Sequence, residues 1–179
     1  MRGHRRFRAI GFLASALLLG ACSAALPSTP PVSDSATTGV YRLDLTIDRT
    51  TWRAGDLITG TSVLTNTGSS QTAVYSSGMG LVWFEFKEVG GTRDLGNVMS
   101  ASCSGYDLKA GSPVTTRVYA NGAASNGGAD AWIGSANDHD GARLPAGTWD
   151  VIVHAGFTEG ECGGARVPMR ASARVTVLA

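Results

Sequence analysis

An antiparallel β-sandwich is the fold this sequence predicts, and three observations carry the prediction. Apolar and polar residues alternate with a period of two in one segment after another. Gly-, Asn- and Pro-containing turns separate those segments, and no stretch has the period of an amphipathic helix. The composition agrees, because 24 glycines and a charged fraction of 16% suit short strands and turns better than long helices.

Residues 40–48 set the pattern. Tyr41, Leu43, Leu45 and Ile47 share one face, and Arg42, Asp44, Thr46 and Asp48 the other. Trp52-Arg53-Ala54-Gly55-Asp56 reads as a turn, and residues 57–66 as a second strand interrupted by Gly60. Asn66-Thr67-Gly68-Ser69-Ser70 is a second turn, followed by a short strand over 71–76. Residues 81–89 are the most apolar strand, with Val82, Phe84 and Phe86 opposing Leu81, Trp83, Glu85 and Lys87; Gly90-Gly91 ends it. A weak strand over 94–99 and a turn at 108–113 lead into a strand over 114–120. Residues 121–142 are rich in Gly, Ala and Asn, with Trp132-Ile133 as their anchor. In the strand over 148–157, Trp149, Val151, Val153, Ala155 and Phe157 share a face. Residues 170–178 close the domain with Ala171, Ala173, Val175 and Val177 inward. About seven strands with turns between them fit an antiparallel sandwich, with a closed barrel as the alternative. The long 121–142 link suits a crossover between two sheets.

The region ahead of these strands is an address. Arg2, Arg5, Arg6 and Arg8 precede an apolar stretch over 9–19. As a helix that stretch spans about 16 Å, against about 30 Å for a bilayer core. It reads as the apolar region of a signal peptide. Leu18-Leu19-Gly20-Ala21-Cys22-Ser23 resembles the lipobox of bacterial lipoproteins: a branched apolar residue, two small residues, then cysteine. The resemblance implies a signal peptide over 1–21 and lipidation of the Cys22 thiol. It also implies a mature chain outside the cytoplasm, anchored to a bacterial membrane by acyl chains of the palmitate kind. An ordinary cleavage site with an incidental cysteine is the alternative. Ser23 replaces the Asp that often retains lipoproteins in an inner membrane, so an outer membrane is the expected destination where the cell has one. Residues 22–38 contain Pro27, Pro30 and Pro31, have no apolar period and read as a tether on the order of 20 Å long. That leaves 39–179 as the folded domain.

With Cys22 spent on lipid, Cys103 and Cys162 remain as an even pair in an oxidising compartment. A disulfide between them would close a loop of roughly 60 residues and contribute about 4 kcal/mol in the chain-entropy model. A metal pair or redox pair fits less well, since there is no C-x-x-C and His139 and His154 are the remaining imidazoles.

The strand at 40–48, Arg53-Ala54-Gly55-Asp56, the next strand and Asn66-Thr67-Gly68-Ser69 resemble the opening of bacterial immunoglobulin-like domains. Leu144-Pro145-Ala146-Gly147-Thr148-Trp149-Asp150-Val151 is similar to the approach to the penultimate strand in that group. Over 40–178, order and spacing resemble the intracellular proteinase inhibitor family. The resemblance implies an immunoglobulin-like sandwich. Export and the Cys103, Cys162 pair depart from that family, and no inhibitory residue is carried over.

Charge excludes a nucleic-acid partner. The chain has 15 Lys+Arg against 14 Asp+Glu; without the four leader arginines the balance is 11 against 14, a net of −3. No enzyme is expected: His154 lies on the polar face of its strand, and Asp150 is about 13 Å away along it, too far for a direct hydrogen bond. No G-x-S-x-G, H-E-x-x-H or phosphate-binding loop occurs. Asp138 and Asp140, with Asp130 outlying, could offer oxygens to Ca²⁺, but no later Glu completes a calcium loop, and no metal or other cofactor is expected. Trp149 belongs in the core. Trp52 and Trp132 fall in loops and Trp83 on the polar side of its strand, which makes these three the candidate anchors for a partner. The expected function is a lipid-anchored, non-enzymatic binding or accessory module of the cell envelope, recognising an envelope protein, a glycan or a solute. The alternative is a surface proteinase inhibitor using the Cys103 segment or the 121–142 link.

Overall fold

Alternation over residues 40–48 becomes an interior strand of one sheet, and the longest apolar alternation becomes the spine of another. The computed structural model describes residues 29–122 and 137–179. Among the described residues, all regular structure is strand: β1 (Val32–Thr38), β2 (Tyr41–Ile47), β3 (Thr51–Arg53), β4 (Gly60–Asn66), β5 (Thr72–Ser77), β6 (Val82–Glu88), β7 (Asp94–Leu95), β8 (Cys103–Leu108), β9 (Pro113–Arg117), β10 (Asn137–Asp138), β11 (Gly141–Ala142), β12 (Gly147–Glu159) and β13 (Arg166–Leu178). The first sheet runs β1-β2-β4-β9, antiparallel throughout. The second is built on the β12–β13 hairpin, with β3 joining β13 in parallel and β6, β5, β8 and β7 on the other side. β10 and β11 form a separate small hairpin.

The two sheets bury their apolar faces against each other as a β-sandwich. Leu43, Leu45, Ile47 and Leu64 of the first meet Phe84, Phe86, Trp149, Val151, Val153 and Phe157 of the second. Tyr41 crosses between the layers: its ring meets Phe157 edge-on at 4.9 Å, and its hydroxyl donates to Glu159 Oε1 at 2.6 Å. Burial, and then the neighbouring carboxylate, push the Tyr41 hydroxyl above its ordinary value. Trp149 is wholly buried, and its Nε1 donates to the Pro145 carbonyl at 2.9 Å. Arg93 lies 5.0 Å over that indole and pairs with Glu88.

Two expectations need correction. Residues 32–38 are not the end of a tether but strand β1, paired with β2 along its whole length. They lack apolar alternation because β1 is an edge strand, and only Val32 and Ala36 reach the core. Its polar side chains have another task. Asp34 Oδ2 accepts the Ser172 N–H at 2.8 Å, and the Thr38 hydroxyl donates to the Pro168 carbonyl at 3.2 Å. Both satisfy backbone groups on the side of β13 facing away from β12, which would otherwise be an open edge. The domain therefore begins by Thr29, whose hydroxyl oxygen accepts the N–H groups of Thr50 and Thr51. The second is β8, a strand over residues to which no strand was assigned; it pairs with β5 from Thr72↔Leu108 to Ser77↔Cys103.

Two consequences are measurable. A chain starting at residue 39 should be less stable in urea than one starting at residue 24 by about 2 kcal/mol or more, through the lost cap on Ser172 and the re-exposed Val32 and Ala36. The hydrogen bonds from Arg93 hold the Glu88 carboxyl below its ordinary 4.5, although partial burial opposes them. The folded state therefore binds fewer protons there than the unfolded one, so this stabilisation is present above that value and lost as pH falls through the folded one. Glu88→Gln should lower the urea midpoint at pH 7 and converge with the wild type in acid.

Candidate functional site

β12 is long enough to serve two partners in succession. Its Trp149–Ala155 stretch pairs with β6, ending at Ala155↔Val82, and its Thr158 and Glu159 pair with Tyr75 and Val74 of β5. Between these ladders the sheet forks at Gly156 and Phe157. The Gly156 carbonyl, without a ladder partner there, accepts the Ser76 hydroxyl at 2.7 Å. A shallow cleft of about 250 Å³ opens at the fork. Its floor is Tyr75, Trp83, Gly156 and Thr158, and one wall is the segment from Met99 to Cys103.

The outer face of β6 supplies the aromatic ring. Trp83 sits directly opposite His154, and the two rings stack at 5.4 Å with planes 11° apart. His154 Nε2 is 2.8 Å from Glu85 Oε2, which fixes the imidazole against the sheet. His154 covers one side of the indole and does not line the cleft, whereas Trp83 does. The far edge of the indole lies over Gly156: a Cβ there would stand 2.8 Å from Trp83 Cη2 and 3.8 Å from Arg166 Nε. Glycine is thus required for close approach, not for its dihedral freedom.

The wall is held covalently. Cys103, the first residue of β8, forms a disulfide with Cys162 in the turn after β12, with Cα atoms 6.2 Å apart. The Ser102 carbonyl accepts the Gly78 N–H at 3.1 Å, and the hydroxyls of Ser100 and Ser102 lie 2.6 Å apart. Arg166 lines the cleft from β13, is exposed, and has no ion pair among the described residues. Among the described residues no carboxylate lines the cleft.

The tryptophans expected to anchor a partner part company. Trp83 lines the cleft. Trp52 is instead a plug at one end of the sandwich, 3% exposed, with Nε1 donating to the Arg49 carbonyl and the Arg49 guanidinium 3.9 Å over the ring. A loop position did not mean exposure, because the short β3 presses its middle residue inward against the β13 end. Trp132, Cys22 and Asp130 lie outside the described residues. His154, expected as a solvated strand residue, is half-buried between Trp83 and Glu85. Asp138 and Asp140 each lie beside an arginine, Arg143 at 3.6 Å and Arg117 at 3.5 Å. Among the described residues no three His, Cys, Asp or Glu side chains converge as a metal site.

Tyr75, Gly156, Thr158 and Arg166 escaped the sequence reading. None of them gave a sequence signal, because their meeting depends on the pairing of β12 with β5 and β13.

Gly156→Ala tests this construction. The added methyl must displace the indole, so the Trp83 Nε1 resonance should move strongly while the fold persists at a cost of about 1–3 kcal/mol. An unmoved resonance would mean that Trp83 does not rest on Gly156. No family model, curated protein or solved structure matches this chain.

Proposed function

We propose that this chain is a lipid-anchored, non-enzymatic binding module of the cell envelope: an immunoglobulin-like sandwich, tethered through Cys22, that presents the Trp83 cleft to a partner. One observation carries the reading. Thr29 is fastened beside Thr51, which pairs with Thr176 and through it with Thr148 at the start of β12. The cleft lies at the level of Thr158. Along β12 those two levels are about 33 Å apart at about 3.3 Å per residue. An anchor on the N-terminal side of Thr29 thus leaves the cleft at the end of the domain facing away from the membrane. His154 is hydrogen-bonded to Glu85 and, among the described residues, to no Ser, Thr or Cys, which favours a binding role over nucleophilic catalysis.

A second reading has one observation in its favour. Val98 and Met99, 54% and 36% exposed, immediately precede the serine-rich wall that ends at the Cys103 disulfide. An exposed apolar pair beside a pinned segment is the kind of preorganised strap that a proteinase inhibitor inserts into a protease cleft.

Expression of the full chain in a bacterial host, with a photocrosslinker at Thr158, separates the readings. Cys22→Ser should move the chain from the membrane to the soluble fraction. Trp83→Ala should leave it on the membrane and reduce the crosslinked partner at least tenfold, the loss expected for truncating a central aromatic anchor. Undiminished crosslinking in Trp83→Ala would overturn the cleft reading. Stoichiometric inhibition of one protease class by the intact chain would establish the inhibitor instead.

A further inference from the structure

We infer that the cleft is a subsite for an acidic sugar, one ring of a carboxylate-bearing glycan stacked on Trp83 with its carboxylate held by Arg166. The inference rests on the binding-module reading and names its ligand class. Four features of the site lead to it.

The first is the Trp83 indole itself, which borders the cleft. His154 stacks on one side of it, and the Glu85 contact holds His154 in place, so the indole is a rigid platform that loses little freedom when a ligand lands on it. A pyranose ring presents a flat face of C–H groups that complements the electron-rich face of an indole. The second is the rest of the lining. Besides Trp83 and Arg166, and apart from Tyr75, Met99, Ala101 and the disulfide-bonded Cys103, the border of the cleft among the described residues is serine, threonine and glycine. Such walls offer hydroxyl oxygens as acceptors to ring hydroxyls and no deep apolar hole for a peptide side chain. The third is size. At about 250 Å³ the cleft is smaller than pockets that enclose a drug-sized ligand. Its occupant is therefore one unit of a longer chain lying across an open surface.

Charge completes the assignment. Arg166 stands within reach of the Trp83 edge, with both lying within 4 Å of the point where a Gly156 side chain would begin. It has no ion pair among the described residues, and neither Glu159 nor Glu161 lines the cleft. A guanidinium fork matches a planar carboxylate through two parallel N–H donors. Because the cleft is remote from the Thr29 end, a glycan of the surroundings satisfies that fork better than an anionic headgroup of the chain's own membrane.

The test is titration of the oxidised chain starting at residue 24, followed by the four tryptophan indole resonances. The probes are a galacturonate trisaccharide, its methyl ester and a hexaglutamate peptide. Binding of the trisaccharide with a shift at Trp83 Nε1 is expected. Methyl esterification and Arg166→Ala should each weaken it at least tenfold, and Trp83→Ala should abolish it while Trp83→Tyr retains part. Equal binding of the ester would overturn the acidic assignment. Binding of hexaglutamate without the trisaccharide would overturn the sugar in favour of a peptide. If no saccharide binds while Trp83→Ala still loses its envelope crosslink, the sugar assignment falls and the binding module stands. If the crosslink too is independent of Trp83, both fall.

Discussion

Continuous pairing of β12 with β13, from Gly147↔Val177 to Thr158↔Arg166, is the constraint on which the second sheet depends. A hairpin this long has every interior backbone group of β12 satisfied on one side, so its other side is able to hold two different strands in turn. Each inward residue of β12 from Trp149 to Phe157 then lands in the core, and Trp149 closes one end through its bond to Pro145. A shorter β12 would have reached β6 but not β5. Without β5 there would be no attachment for β8, and the disulfide would have nothing to join.

The fork has a physical cost that the structure meets locally. A twisted strand cannot stay in register with two separate partners without a gap, and the gap strands a carbonyl at Gly156. Ser76 satisfies it, Trp83 roofs it, and Cys103–Cys162 ties the far wall to the turn that follows β12. A glycine, a serine, an aromatic ring and a disulfide meet where the ladder changes hands. Irregularity of this kind is also where a sandwich otherwise covered by alternating side chains offers a concave surface. Beside it on the same face Ile152, opposite Glu85, is covered to 1% exposure.

The first sheet shows the complementary economy. β1 contributes little apolar surface, yet its Asp34 and Thr38 cap the outward backbone groups of β13. One strand thereby completes the first sheet and guards an edge of the second, and it brings the start of the domain to the end remote from the cleft. Polar strands of this type carry no period-two apolar signal. That is why residues 32–38, with their serines, threonines and single aspartate, look like linker in the chain and fold as strand.

Period-two patterning was enough to find the core faces of β2, β6, β12 and the later part of β13, because each buries one face and wets the other, and burial is what selects the alternation. The cysteine pair was equally legible, since the expectation of an oxidising compartment led to pairing of the two thiols left over, and Cys103 and Cys162 are bonded. The site was legible only in Trp83, whose side of the strand follows from counting. Trp52 could not be placed that way, because β3 has three residues, too few to show an alternation, and lies in a segment that reads as a turn. Tyr75, Gly156, Thr158 and Arg166 come from three strands whose meeting depends on where β12 exchanges partners. Alternation tells a residue which way to face. Which neighbours it will face is set by the pairing register of strands far apart in the chain, and that is decided only when the two sheets close on a common core.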